Sequence, residues 1–233
     1  MFGLKTPPRK PARSEAEKPF WISFSDLMTA LMVLFLVSMS VALMSVTQEY
    51  VSGPDAHEKK KNACLNEVSK MTSKEFPDVK INGNSISFGT LAQFGVSQHW
   101  LDKESQKNLR KYVPRVLSLA RSPKCAPVFK RVIVEGFASA SGRYLYNLNL
   151  SLQRAERLLC ILLDPKASHA LDERDRRDVR NLFLVAGSSF NALKPTGAES
   201  RRIELKLEFL DYKEKPEKIR EAKLDKEHIC PLN

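Results

Sequence analysis

Residues 20–46 read FWISFSDLMTALMVLFLVSMSVALMSV, with no Lys, Arg, Glu, Gly or Pro. At about 1.5 Å per residue this run is long enough to cross a hydrocarbon core of about 30 Å as a tilted helix. A cleaved leader would also start basic, but its apolar stretch is shorter and closes at a small-residue cleavage site, so a retained transmembrane helix is expected. Residues 47–78 are polar and Lys-rich and read as a linker with a short helix around 62–72. Alternation on either side of Asn82-Gly83-Asn84-Ser85 predicts a β-hairpin. Leu101, Leu109, Val113, Val116, Leu117 and Ala120 predict a helix over 101–121, which Pro114 should bend or split. Residues 128–137 read as a buried strand, 145–163 as a long amphipathic helix, 181–187 as a strand and 202–210 as an alternating edge strand. The order β-hairpin, α, β, α, β, β predicts an α+β domain, a two-layer sandwich with helices on one face of a small mixed sheet. The expected organisation is a basic tail (1–19), the transmembrane helix (20–46), the linker (47–78), the folded domain (79–210) and a charged C-terminal tail (211–233).

Charge gives this plan a direction. Lys5, Arg9, Lys10, Arg13 and Lys18 precede the span, and Thr47-Gln48-Glu49-Tyr50 follows it without a positive charge. The positive-inside rule therefore puts the N-terminus in the cytoplasm and the folded domain outside, with Trp21 and Tyr50 placed as interfacial anchors. Of the formal net charge of +11, nearly all lies beyond residue 50. A basic domain attracts polyanions. Its expected position outside the cytoplasm argues against nucleic acid and leaves anionic lipid or a carboxylate-bearing polymer.

Cys64, Cys125, Cys160 and Cys230 form no CxxC pair and have no His at zinc spacing, so neither a metal site nor a cofactor is expected. In an exported domain they allow up to two disulfides among three connectivities. The preferred pairing is Cys125 with Cys160 and Cys64 with Cys230; the alternative leaves all four thiols free. No Ser, His and Asp arrangement suggests a hydrolase, and His57, His99, His169 and His228 are scattered among polar residues. No enzymatic activity is expected.

Asp26 is the one ionisable residue within the apolar run. It lies roughly 9 Å inside the boundary at about 1.5 Å per residue, too deep for a short carboxylate to reach water easily. An ionised carboxylate there costs a few kcal/mol unless it faces a protein cavity or takes up a proton. One reading makes it a helix-start residue or the partner of an interfacial lysine. The other makes it an ion-handling group facing further helices, with Ser23, Ser25, Thr29 and Ala30 permitting close approach. That reading requires a homodimer or, as expected here, a larger multispanning partner.

Two stretches carry family resemblances. WISFSDLMTALMVLFLV, residues 21–37, resembles the transmembrane segment of MotB-type stator subunits, with Asp26 on the family's ion-binding aspartate. VEGFASASGRYLYNLNLSLQRA, residues 134–155, resembles the signature of OmpA-like peptidoglycan-binding domains, and residues 199–205 resemble that family's last strand. Together the likeness covers 20–46 and about 79–210. It implies an OmpA-like sandwich that binds peptidoglycan through Ser139, Tyr146, Asn147, Leu150 and Arg154. Ser139 stands where the family has Asp, and a hydroxyl cannot pair with a ligand ammonium as a carboxylate does.

Arg154 shares a helix face with Tyr146 and Asn147 at i, i+7 and i+8, so a guanidinium, an amide and a phenol converge in a way that suits a peptide-stem carboxylate. The competing reading puts Tyr146 and Leu150 in the core and leaves Arg154 a solvated charge. The resemblance further implies a homodimer inside a ring of MotA- or ZorA-like multispanning subunits in the bacterial inner membrane. Ions, expected to be protons, would bind and leave Asp26; Ser23, Ser25 and Thr29 keep sodium open. The linker is shorter than flagellar stators lead one to expect, and the chain as a whole resembles B subunits of Zorya-type anti-phage defence systems, which are favoured over flagellar stators. A passive membrane-to-peptidoglycan anchor is the remaining alternative.

Overall fold

The computed structural model describes residues 17–216 and 230–232. The expected N-terminal tail therefore lies almost wholly outside the described residues. The chain divides into two compact units, Met1–Pro54 and Asp55–Asn233, and helix α1 (Glu17–Glu75) contributes to both. Pro54 is the residue at the division, where a missing N–H and ring clash weaken a helix.

In the first unit the apolar stretch Ser23–Val46 has mean hydropathy 2.4 and is not buried against other protein. The hydroxyls of Thr29, Ser38, Ser40 and Ser45 are satisfied locally, as an apolar medium demands. Thr29 Oγ1 donates to the Asp26 carbonyl at 2.9 Å, Ser38 to Phe35 at 2.9 Å and Ser40 to Leu36 at 2.7 Å.

The second unit is a five-stranded mixed sheet in the order β1-β2-β5-β3-β4, formed by β1 (Lys80–Asn82), β2 (Ser85–Ser87), β3 (Phe129–Gly136), β4 (Phe183–Gly187) and β5 (Ile203–Phe209). Only β3 and β4 pair in parallel. The expected hairpin forms, with Gly83 at φ 59 in its turn. Helices α2 (Lys103–Ala120) and α3 (Tyr144–Leu163) follow the expected spans closely. Pro114 does not split α2, because Val113, Val116 and Leu117 beside it are buried and packing outweighs the local preference. Asp102 caps α2 through Ser105 N at 2.7 Å. Two short helices went unpredicted, α4 (Glu173–Leu182) and α5 (Gly197–Ser200).

One sheet face carries Val132, Val134, Ile203, Leu205 and Leu207 into the core. The other pairs Arg131 with Glu208 and Ile133 with Lys206 in register. The last strand was expected at an edge, yet β5 lies in the middle of the sheet. Alternation reports one solvated face, which a central strand of an open sheet also has, so it did not identify an edge.

The linker expectation needs correcting in part: the short helix expected around 62–72 is present, but as a stretch of the longer α1. Residues up to Glu75 are helical, and Cys64, Val68 and Thr72 enter the core at four-residue spacing. Thr72 Oγ1 and the Tyr112 hydroxyl share a 2.8 Å hydrogen bond, and Phe76 and Phe88 meet the Tyr112 ring edge-on.

The disulfides are Cys64–Cys125 and Cys160–Cys230, neither of which is the expected pairing. The continuing helix lays Cys64 against the turn after α2, which leaves Cys160 on α3 to hold Cys230. The charged C-terminal segment thus returns to the domain at residues 230–232, where Arg157 donates to the Leu232 carbonyl. Its intervening residues 217–229 lie outside the described set.

Candidate functional site

Asp26 and the α3 cluster are the two places where chemistry concentrates. Asp26 lies in the first turns of the apolar stretch, with Ser23 three residues before and Thr29 and Ala30 three and four after. Its side chain is exposed in this single chain. A carboxylate at that depth of an apolar stretch is costly unless it faces a protein cavity, finds a partner or takes up a proton.

The cluster in the folded domain forms where α3 meets the C-terminal ends of β3 and β4. The approach is close enough that a Cβ at Gly136 would overlap the Ser151 carbonyl, and one at Gly187 would crowd Ser151 and Leu152. Ser151 Oγ accepts from Ser189 N at 3.1 Å and fixes the loop after β4 to this helix.

Arg154 is 0% exposed. Its Nε donates to the Gln98 carbonyl at 2.9 Å, Nη1 to Phe137 at 2.7 Å and Nη2 to Gly95 at 3.0 Å, and its guanidinium lies 5.1 Å from the centre of the Phe94 ring. Burial, then the neighbouring Arg201 charge, pushes its pKa down to about 10, with Tyr146 opposing. Among the described residues no acid forms an ion pair with it.

Asn147 is also buried, its Nδ2 donating to the Ser141 carbonyl at 2.7 Å and so holding the loop that carries Gly142 at φ 99. Leu150 is core. Tyr146 stays 52% exposed, and Ser139 is half-buried. A Cβ at Gly197 would lie 3.8 Å from Ser139 Cβ and 3.5 Å from Arg201 Nη1, so these two side chains flank one spot. Arg201 Nε in turn donates to the Phe94 carbonyl at 2.9 Å.

The face expected to present a phenol, an amide and a guanidinium together is therefore split. Arg154 and Asn147 are enclosed and engaged with main-chain carbonyls, while Tyr146 and Ser139 reach the surface. Arg154 is not the solvated charge of the competing reading either. The sequence reading missed Gly95, Gln98 and Phe137, because carbonyl acceptors leave no side-chain signal. Arg201 was legible only as part of the last-strand likeness.

Residues 5–50 match the model of a family described as the membrane MotB of the proton-channel complex MotA/MotB. The Zorya protein ZorB of Escherichia coli O139:H28 (strain E24377A / ETEC) is 39% identical over 230 residues, covering 95% of this chain and 93% of that protein. The periplasmic domain of Helicobacter pylori MotB superposes with a TM-score of 0.40 at 12% identity, over 56% of this chain and 80% of that one. A putative MotB-like protein from Desulfovibrio vulgaris gives 0.42 at 15% identity, over 66% and 92%.

Proposed function

The chain belongs to the family of the Zorya protein ZorB, whose members are MotB-like stator subunits, and from this we propose that Asp26 is its ion-translocating group. Two copies sit within a ring of MotA- or ZorA-like multispanning subunits in the inner membrane. Protons moving down their gradient bind and leave Asp26, and its change of charge moves the ring about the fixed pair. A lone carboxylate in an apolar stretch exchanges protons readily, whereas sodium needs several oxygen ligands.

The N-terminus faces the cytoplasm and the second unit faces the periplasm. The basic residues before the span support this orientation, as do two disulfides, which persist in oxidising compartments. The folded unit holds peptidoglycan by the surface around Ser139, Tyr146 and Arg201, over the Asn147, Leu150 and Arg154 scaffold, and makes the pair stationary. The process served is defence against phage.

The observation that carries the reading is that Asp26 is the single ionisable residue of the span and falls inside the segment that matches the MotB family model. Phage plating on cells carrying the whole operon tests it, with membrane abundance checked. Protection is expected with Asp26, lost with Asp26→Asn and partly kept with Asp26→Glu. An equally abundant Asn variant that protects in full would leave only the passive anchor.

A further inference from the structure

Arg154 is a buried cation held by three neutral carbonyls, and two of the three come from one four-residue turn. Nε meets Gln98 O and Nη2 meets Gly95 O. These nitrogens form one edge of the guanidinium, the edge on which a carboxylate binds with two parallel hydrogen bonds. We propose that residues 94–99 are a strap closed over Arg154, the Gly95 and Gln98 carbonyls holding the places that a ligand carboxylate takes when the strap lifts. The proposal rests on the peptidoglycan-binding reading above and adds how that site is closed and opens.

The ends of the strap are fixed and its middle is not. Phe94 is buried, donates its N–H to the Arg201 carbonyl at 3.0 Å and accepts from Arg201 Nε, and Leu101 is buried at the other end. Between them Val96 is 65% exposed, Ser97 and Gln98 are exposed, and the turn is closed by a single bond, Gln98 N to Gly95 O at 3.3 Å. Ser97 has φ 54, the left-handed region that a side chain disfavours. A Cβ at Gly95 would overlap the Gln98 side chain.

The closed form is also incompletely satisfied. His99 Nε2 is enclosed without a hydrogen-bond partner. Among the described residues Arg154 has no counter-charge, and a carboxylate would offer the guanidinium an opposite charge through two parallel bonds where the carbonyls offer only dipoles. A carboxylate offered from solvent would thus replace two carbonyls that can turn outward to water, and it would enter beside Tyr146, Ser139 and Arg201, whose second guanidinium adds attraction.

Hydrogen exchange on the full chain in detergent, with and without a soluble disaccharide-tetrapeptide muropeptide bearing free carboxylates, tests this. Saturating muropeptide is expected to raise exchange of the Gln98 amide at least tenfold. Ser97→Pro, which cannot adopt φ 54, is expected to bind the muropeptide several-fold more tightly, since the closed state no longer competes. If that variant fails to fold, exchange in the unaltered chain decides alone. Muropeptide that binds while the Gln98 amide stays equally protected overturns the strap and leaves wall binding standing. Absence of binding to both proteins overturns the strap together with the wall-binding reading.

Discussion

Arg154 shows how one residue type supports two opposite readings. The sequence places it on a face with Tyr146 and Asn147, of which the fold buries Asn147 with it and leaves Tyr146 exposed; what the sequence cannot display is that main-chain carbonyls from two loops reach the guanidinium first. Truncation would leave those carbonyls unpaired, so Arg154→Ala is expected to cost about 3–5 kcal/mol and to show as a large fall in the denaturation midpoint of the folded unit. Loss of wall binding in that variant would be ambiguous. Tyr146 is exposed, and Tyr146→Ala is expected to weaken pull-down by purified sacculi while stability stays within about 0.5 kcal/mol.

Tyr112 offers a pH test at the same scale. Burial pushes its pKa up to about 12, against a smaller lowering by Thr72. Because the folded value lies above that of the unfolded chain, its contribution is complete below about pH 10 and fades as pH rises through about 12. The stability gap between the protein and Tyr112→Phe should therefore narrow by about 2–3 kcal/mol over that interval in denaturant titrations.

At the scale of elements, those with a dense pattern were legible. The hairpin around Gly83, α2, β3 and α3 have strong periodicity, and their boundaries shifted by only a residue or two; the apolar span was legible by length and composition, but its helix continues to Glu75. Of the second half of α1 only the short helix around 62–72 was legible, since Cys64, Val68 and Thr72 are its main inward positions amid lysines and polar residues. In α4, Val179 is the lone buried aliphatic among charges, and the helix is held by Asp172 capping Asp175 N at 2.6 Å and by Arg121 bridging Asp175 and Asp178. Neither feature leaves an apolar stripe. Disulfide partners are a property of the fold, and the error over Cys64 followed from the error over α1.

Cys64–Cys125 and Cys160–Cys230 close loops of 61 and 70 residues. Chain-entropy reasoning gives about 4 kcal/mol for each. Replacing Cys64 and Cys125 together by Ser is expected to lower stability by about that amount in denaturant unfolding, and to release α1 from the turn after α2. A disulfide map by mass spectrometry should return these two pairs.

Taken whole, the chain joins a span with a single acid to a basic, disulfide-closed domain. Under the proposed function, a charge change at Asp26 would move a ring only if something held the pair still, and a wall-binding domain would transmit nothing without the acid. The family and fold were readable because both ends carry likeness in side chains; the carbonyls around Arg154 were not, because they belong to the backbone. The most direct test follows cytoplasmic pH with a fluorescent indicator in cells carrying the complete operon, during phage infection, with the chain bearing Asp26 or Asp26→Asn at equal membrane abundance. Acidification that depends on Asp26 is the predicted result; the same acidification with the Asn variant would contradict ion translocation through this residue.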